Sequence, residues 1–149
     1  MTPFAPDDFE VPRGLVTESF RLEPLGPQYN ERDHRAWTSS IAHVRSTPGF
    51  ETWGWPPAEG MSLERNLTDL VRHADDFRRR EGFTYSVLVG DEVVGCVYIY
   101  PVRDEPTLVQ VHSWVCADHA ELDEPLHEVV SAWLAARWSF PEVRYAPRP

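Results

Sequence analysis

The sequence predicts an α/β domain: a mixed, mostly antiparallel sheet carrying helices, in the order β-α-α-β-β-β-α-β. Three observations predict it. Between residues 83 and 117 three runs rich in Val, Ile and Tyr follow one another with only turn residues between them, which is the pattern of an antiparallel meander. Three other stretches repeat their apolar residues at helical spacing. The last of these lies between two strand-like runs, and a helix crossing between strands implies a parallel pair there.

The elements are expected in this order. Residues 1–14 read as a polar, Pro-rich arm whose Phe4, Phe9 and Val11 are candidates to dock on the body. Residues 15–149 form a single domain. Leu15 to Leu25 alternates around Val16, Phe20 and Leu22 as one first strand, ended by Gly26-Pro27. Asn30 can cap one helix that carries Trp37, Ile41 and Val44 on a single face and stops at Thr47-Pro48-Gly49. An aromatic, Pro- and Gly-rich loop, Phe50 to Gly60, follows. Ser62 can cap a second helix with the apolar stripe Leu63, Leu67, Leu70, Val71, Ala74 and Phe77. Arg78-Arg79-Arg80 complements the dipole at its end, and Gly82 suits the C′ position.

Phe83 to Val89 and Glu92 to Tyr100 are strands joined by the two-residue turn Gly90-Asp91. Strict alternation puts Val93, Val97 and Ile99 on one face of the second of them, and Val94, Cys96 and Tyr98 on the other. Thr107 to Ala117 is the next strand, with Val109, Val111 and Val115 opposite Gln110, His112, Trp114 and Cys116. A helix with Leu126, Val129, Val130, Trp133 and Leu134 in register follows, with Asp123 or Glu124 as cap and Pro125 in its first turn. Val143 to Ala146 closes the chain as a short strand.

Composition narrows the function classes. The chain has 149 residues, enough for one sizeable core, and a formal net charge of −10. So acidic a surface repels phosphate backbones and anionic lipids, which sets nucleic acid and membrane partners aside and suits a cationic substrate such as an amine. No Lys is present, which removes Schiff-base chemistry. Cys96 and Cys116 form no CxxC motif and are too few for a disulfide scaffold. The first ten residues lack the apolar stretch of a secretory leader, and no apolar run approaches the ~20 residues needed to cross a bilayer, so a cytoplasmic location is expected.

The element order and one local pattern resemble the GNAT N-acetyltransferase superfamily. Phe83 to Tyr100 (FTYSVLVGDEVVGCVYIY) is similar to the family's second and third strands, a hairpin whose second arm reads "vvG" before an apolar run. Val109 to Leu134 resembles its fourth strand, cofactor loop and third helix. The resemblance covers nearly the whole chain, Leu15 to Ala146, and implies transfer of an acetyl or acyl group from acyl-CoA to an amine. It implies acetyl-CoA as cofactor, held by the main chain of Trp114, Val115 and Cys116 and by the loop Ala117 to Leu126, with Asp123, Glu124 and Leu126 at the helix mouth. Backbone N–H groups at a helix N-terminus favour an anion such as a pyrophosphate. The sequence departs from the family in two places. The loop, ADHAELDEPL, holds no Gly and no Arg, carries Asp118, Glu121, Asp123 and Glu124, and loses one donor at Pro125. The family continues past its fifth strand with a helix and two strands, whereas this sequence ends at Pro149; an uncovered sheet edge gives the expectation of a homodimer.

Acyl transfer to an amine needs a base for the ammonium proton and an acid for the leaving thiolate. The resemblance places the base on the fourth strand, where His112 stands; a strand histidine bonded to a neighbour is the plainer alternative. Tyr98 can offer a hydroxyl, or simply pack. Trp53, Trp55 and Tyr100 are candidates for the substrate wall, the two tryptophans also reading as a packed surface loop. His112, Cys116, His119 and His127 have a spacing that arises easily by chance, and no metal is assigned to them. The rival to catalysis is a silent GNAT-like module that binds a ligand or dimerises.

Overall fold

The computed structural model describes residues 5–149. Its core is one six-stranded sheet in the order β1-β2-β3-β4-β5-β6. The strands are β1 (Leu15–Val16), β2 (Arg21–Pro24), β3 (Phe83–Val89), β4 (Glu92–Val102), β5 (Glu105–Val115) and β6 (Glu142–Tyr145). All neighbours are antiparallel except β5 and β6, which run parallel. The helices are α1 (Asn30–Thr38), α2 (Ile41–Arg45), α3 (Leu63–Arg78) and α4 (Asp123–Arg137), with 3-10 turns at Pro27–Tyr29 and Ala117–Leu122. Among the described residues no helix is long and apolar enough to cross a membrane.

The sheet separates two cores. On one face α4 lays Leu126, Val130, Trp133 and Leu134 over Val94, Val97, Ile99, Val109, Val111 and Val115. The N-terminal arm closes this layer. Phe9 packs on Trp138 at 5.5 Å, Tyr85 donates to the Pro12 carbonyl at 2.6 Å, and Arg80 donates to the carbonyls of Phe9, at 2.8 Å, and Pro6. Val11 also packs there, while Phe4 lies outside the described residues. On the other face α1, α2 and α3 cover Val93, Cys96, Tyr98, Trp114 and Cys116.

Several expectations are corrected. The single first strand is a short hairpin: Thr17 N–H donates to the Phe20 carbonyl at 2.8 Å, and the chain turns back on itself. The first helix breaks at Ser39-Ser40, because both hydroxyls leave the helical ladder. Ser39 Oγ donates to the Ala36 carbonyl, and Ser40 Oγ accepts from the Ala117 N–H at 2.9 Å. Asn30 does not cap α1; its side chain bonds Leu63 and Asn66 on α3. At the end of α3 the C′ residue is Arg80, not Gly82. Arg80 has φ 61°, and the Glu81 N–H reaches back to the Asp76 carbonyl and the Arg80 N–H to that of Phe77, a Schellman arrangement. Gly82 is needed for a different reason, since the Tyr100 ring lies where its Cβ would be.

The most informative correction is on β4. Val87 pairs with Gly95 and Leu88 with Val93, so one extra residue, Val94, is inserted into the strand. Such a bulge exchanges the faces on either side of it. Val93 therefore joins Cys96 and Tyr98, and Val94 joins Val97 and Ile99, contrary to strict alternation. Gly95 is required at this place: a Cβ there would collide with the Trp114 carbonyl of β5. The stripe on α3 is also narrower than expected. Leu70 is buried, but Leu63, Leu67 and Val71 are 42%, 39% and 50% exposed. Ser62 does cap α3, accepting from the Arg65 N–H at 3.1 Å.

Substitution Gly95→Ala is expected to destabilise the fold by about 1–3 kcal/mol, because backbone rather than a flexible side chain obstructs the methyl group. Gly90→Asn, at an open turn position with φ 61°, should change stability by less than about 0.5 kcal/mol. Equilibrium urea denaturation of both variants measures the difference.

Candidate functional site

A cavity of about 500 Å³ opens between the sheet and the helices α1 and α3. Strand alternation aims Tyr98 and Tyr100 of β4, and Gln110 and His112 of β5, at this face. The loop between α2 and α3 brings Trp53 and Trp55 over them. Arg45 holds the loop by donating to the Pro56 carbonyl at 2.6 Å. Trp53 stacks flat on His112, with ring centroids 4.1 Å apart and planes 4° apart, and Phe50 meets the same imidazole edge-on at 5.4 Å. The expected base, hydroxyl and substrate wall (His112, Tyr98, Trp53, Trp55 and Tyr100) thus share one cavity.

Burial sets the protonation of this wall. It lowers the pKa of His112 below the usual 6.5, with the Arg148 charge adding to the effect and the Gly49 backbone opposing it. His112 is therefore an uncharged imidazole at neutral pH. Tyr98 donates nothing to solvent: its hydroxyl accepts from Trp114 Nε1 at 3.0 Å, and burial pushes its pKa well up.

The helices contribute residues that the sequence did not single out as a site. Asp33 of α1 is 4% exposed and lines the cavity. Asn66 Nδ2 of α3 donates to it at 3.0 Å and Cys96 Sγ of β4 at 3.6 Å. Asn66 Oδ1 accepts from Trp37 Nε1 at 2.9 Å. Desolvation raises the Asp33 pKa to about 6. His73 of α3 is lowered to about 4, again by desolvation. Its Nδ1 lies 2.8 Å from Tyr100 Oη and 3.2 Å from Thr84 Oγ1. Tyr100 gives its proton to Asp76 at 2.8 Å, so it accepts from His73, which carries its hydrogen on Nδ1. The one sequence signal for these residues is that Asp33, Asn66 and His73 are polar residues on the buried faces of amphipathic helices.

The residues expected to grip a cofactor lie at the C-terminal end of β5 and just beyond it. Trp114 and Val115 are fully buried, Val115 paired with Gly95 of β4. Cys116 donates its thiol to the Ala36 carbonyl at 3.5 Å, and burial raises its pKa to about 11, which makes it a poor nucleophile. Leu126 is a core residue with no exposure, and Glu124 is exposed to solvent. Pairing of β5 with β6 ends at Val111 and Tyr145, while β5 runs on to Val115. The sheet therefore splays, and one edge of Ser113–Val115 has no strand beside it.

Arg148 fills that splay. Its side chain is 3% exposed. Nε and Nη2 fork onto the Asp123 carboxylate at 2.7 and 3.3 Å, and Nη2 also donates to the Ser113 carbonyl at 2.9 Å and hydroxyl at 3.1 Å. Nη1 reaches the carbonyls of Ala146 at 2.9 Å and Pro48 at 3.4 Å. Tyr145 Oη sits 2.5 Å from Ser113 Oγ, and its ring lies against His127 at 4.2 Å. The Asp123 expected at a pyrophosphate is thus spent on an internal cation. The helix mouth, with Asp123, Glu124 and a proline that lacks a donor, does not fit a pyrophosphate. Among the described residues no group of three or more His, Cys, Asp or Glu side chains is arranged to hold a metal ion.

No protein-family model matches the chain, and no curated protein sequence matches it either. Solved structures do. The chain superposes on the ribosomal L7/L12 alpha-N-protein acetyltransferase RimL in complex with coenzyme A, at TM-score 0.61 and 11% identity over 80% of this chain and 66% of that one. The fold is that of the GNAT acetyltransferases. The GNAT domain of PAT from S. lividans superposes at TM-score 0.62 and 14% identity over 91% and 79% of the two chains. The microcin C7 self-immunity acetyltransferase MccE, in complex with acetyl-CoA and AMP, does so at TM-score 0.57 and 10% identity over 83% and 67%. The chain therefore spans about two thirds of the RimL and MccE chains. The RimL and MccE structures carry coenzyme A and acetyl-CoA respectively, whereas the splayed edge of this fold carries a guanidinium.

Asp33 holds its proton more tightly in the folded than in the unfolded chain. Its stabilising contribution is complete below the unfolded pKa of 3.8 and is lost as pH rises through about 6. The loss from this one group is on the order of 3 kcal/mol. In Asp33→Asn that slope should vanish, so the stability of the variant relative to the wild type rises between about pH 4 and pH 7. Urea midpoints across the window measure it; a constant difference would show that Asp33 is not the titrating group.

Proposed function

We propose that this chain is an N-acyltransferase relative of the GNAT type whose acceptor is a small amine bound in the cavity between the sheet and α1 and α3. The observation that supports this is the position of His112. It is a half-buried imidazole, its pKa lowered by desolvation, in the cavity wall, on the strand whose next residues lose their β6 neighbour. A neutral imidazole there takes one proton of a bound ammonium group, and the freed lone pair attacks the thioester carbonyl of an acyl-CoA held at the edge of Ser113–Val115; the C–S bond breaks, and the departing thiolate takes the second proton that the nitrogen gives up, leaving the amide and the free thiol. Trp53 fixes the ring by stacking, and Trp53, Trp55 and Tyr98 keep water from the amine. Acyl transfer on this plan requires Arg148 to leave the strand edge, since its guanidinium occupies the Ser113 carbonyl.

One observation favours the second reading, a GNAT-fold module that binds a ligand without transfer. The Arg148 side chain, 3% exposed in its fork on a partly exposed Asp123, closes the place where a donor would lodge.

Thermal melting with acetyl-CoA separates the two. A ligand at a hundredfold its Kd adds about 2.7 kcal/mol of stability. Acyl transfer predicts a rise in melting temperature at millimolar acetyl-CoA, larger in Arg148→Ala than in the wild type. It also predicts acetylation of a primary amine whose rate falls as pH drops through the lowered His112 pKa, an acidic limb lost in His112→Gln. No shift in either protein rejects acyl transfer and leaves the ligand-binding module.

A further inference from the structure

Among the described residues the cavity's buried carboxylate has no ion-pair partner. Asp33 is 4% exposed, and the two side chains that donate to it, Asn66 and Cys96, are both neutral. A carboxylate so placed is costly unless a positive charge comes to it. The other ionisable groups of the lining do not supply one. Arg72 lies 3.9 Å from both Asp69 and Asp76 of its own helix, so two carboxylates already hold its guanidinium. His73 and His112 are kept neutral by burial. The lining as a whole is therefore negative, and its surplus sits at Asp33.

Aromatic rings face the same space. Trp53, Trp55 and Tyr98 all line it, with mutual centroid distances of 6.3, 5.3 and 6.2 Å. Ring faces attract a cation through their quadrupole, most strongly where water is excluded, and Trp is the strongest of them. Rings plus one buried carboxylate suit an ammonium ion wrapped in alkyl groups better than a compact, strongly hydrated ion.

We propose that this cavity is an organic-cation site that takes a small alkylammonium ion, its charge against Trp53, Trp55 and Tyr98 and its counter-ion Asp33. Recognition of this kind needs the positive charge and the alkyl surface but no transferable N–H. A quaternary ammonium ion, which cannot be acylated, therefore binds as a primary one does. The inference rests on the assignment of this cavity as the ligand pocket made above, and not on acyl transfer.

Isothermal titration with tetramethylammonium, choline and 3,3-dimethyl-1-butanol, the uncharged isostere of choline, tests it. Choline should bind and its isostere should bind at least about tenfold more weakly. Trp53→Leu should weaken choline by a similar factor and Trp53→Phe should restore most of it. Trp53 is 42% exposed on a loop, so both variants keep the fold, which circular dichroism verifies. Asp33→Asn should weaken choline and leave the isostere unchanged. Equal binding of isostere and choline, absence of binding by both cations, or Trp53→Leu without effect overturns the proposal. Cation binding without acetylation of any amine supports the proposal and counts against acyl transfer; acetylation of amines with no preference for charge does the reverse.

Discussion

The Asn66 side-chain amide is the hub on which the helical side of this protein depends. Its Nδ2 donates to Asn30 at 2.9 Å and to Asp33 at 3.0 Å, and its Oδ1 accepts from the Trp37 indole. One buried amide thus satisfies three groups of α1 and fixes where α3 sits against it. A buried polar network holds a unique geometry only when every member is satisfied, and here the members interlock across two helices and the sheet. The cavity is the space that this spacing leaves over β4 and β5. Loss of the hub would free Asp33 and Trp37 together, and the walls of the cavity with them.

The other side of β5 is organised by a charge pair. Here β5 and β6 pair in parallel only as far as Val111 and Tyr145, and the strand edge beyond needs other partners. Arg148 is one, with Asp123 as its counter-ion. The same carboxylate explains why the loop tolerates acidity at a helix N-terminus: the charge is matched by a guanidinium rather than by a cluster of main-chain donors. The two sides of β5 therefore differ in kind. One is an open aromatic cavity with an unmatched carboxylate, and the other is a closed, matched ion pair.

Much of the architecture was legible because it follows from local rules. The hairpin at Gly90-Asp91, the cap at Ser62, the amphipathic α4 and the alternation of β5 each depend on residues close in sequence. The elements that were misread depend on partners far away. Ser40 breaks the first helix because it bonds Ala117, and Leu63, Leu67 and Val71 lie at helical spacing yet stay outside the core because the sheet meets α3 along Leu70. The cavity wall was half legible. His112, Tyr98, Tyr100 and the two loop tryptophans could be placed from strand parity and the loop's composition. Asp33, Asn66 and His73 could not, since a polar residue on an apolar stripe signals burial without saying what it faces.

The sequence by itself determined the order of elements, the face on which β5 presents His112, and an acidic mouth on α4, because periodicity, turn chemistry and charge are written residue by residue. Only the tertiary structure decided the face of Val93 and Val94, the placement of the Asp33 carboxylate in the cavity that the tryptophans line, and the lodging of Arg148 against Ser113. Those three depend on a bulge, on helix spacing and on a chain end meeting a strand 35 residues away. Each is set by contacts between segments whose separation along the chain gives neither partner a local signature of the other.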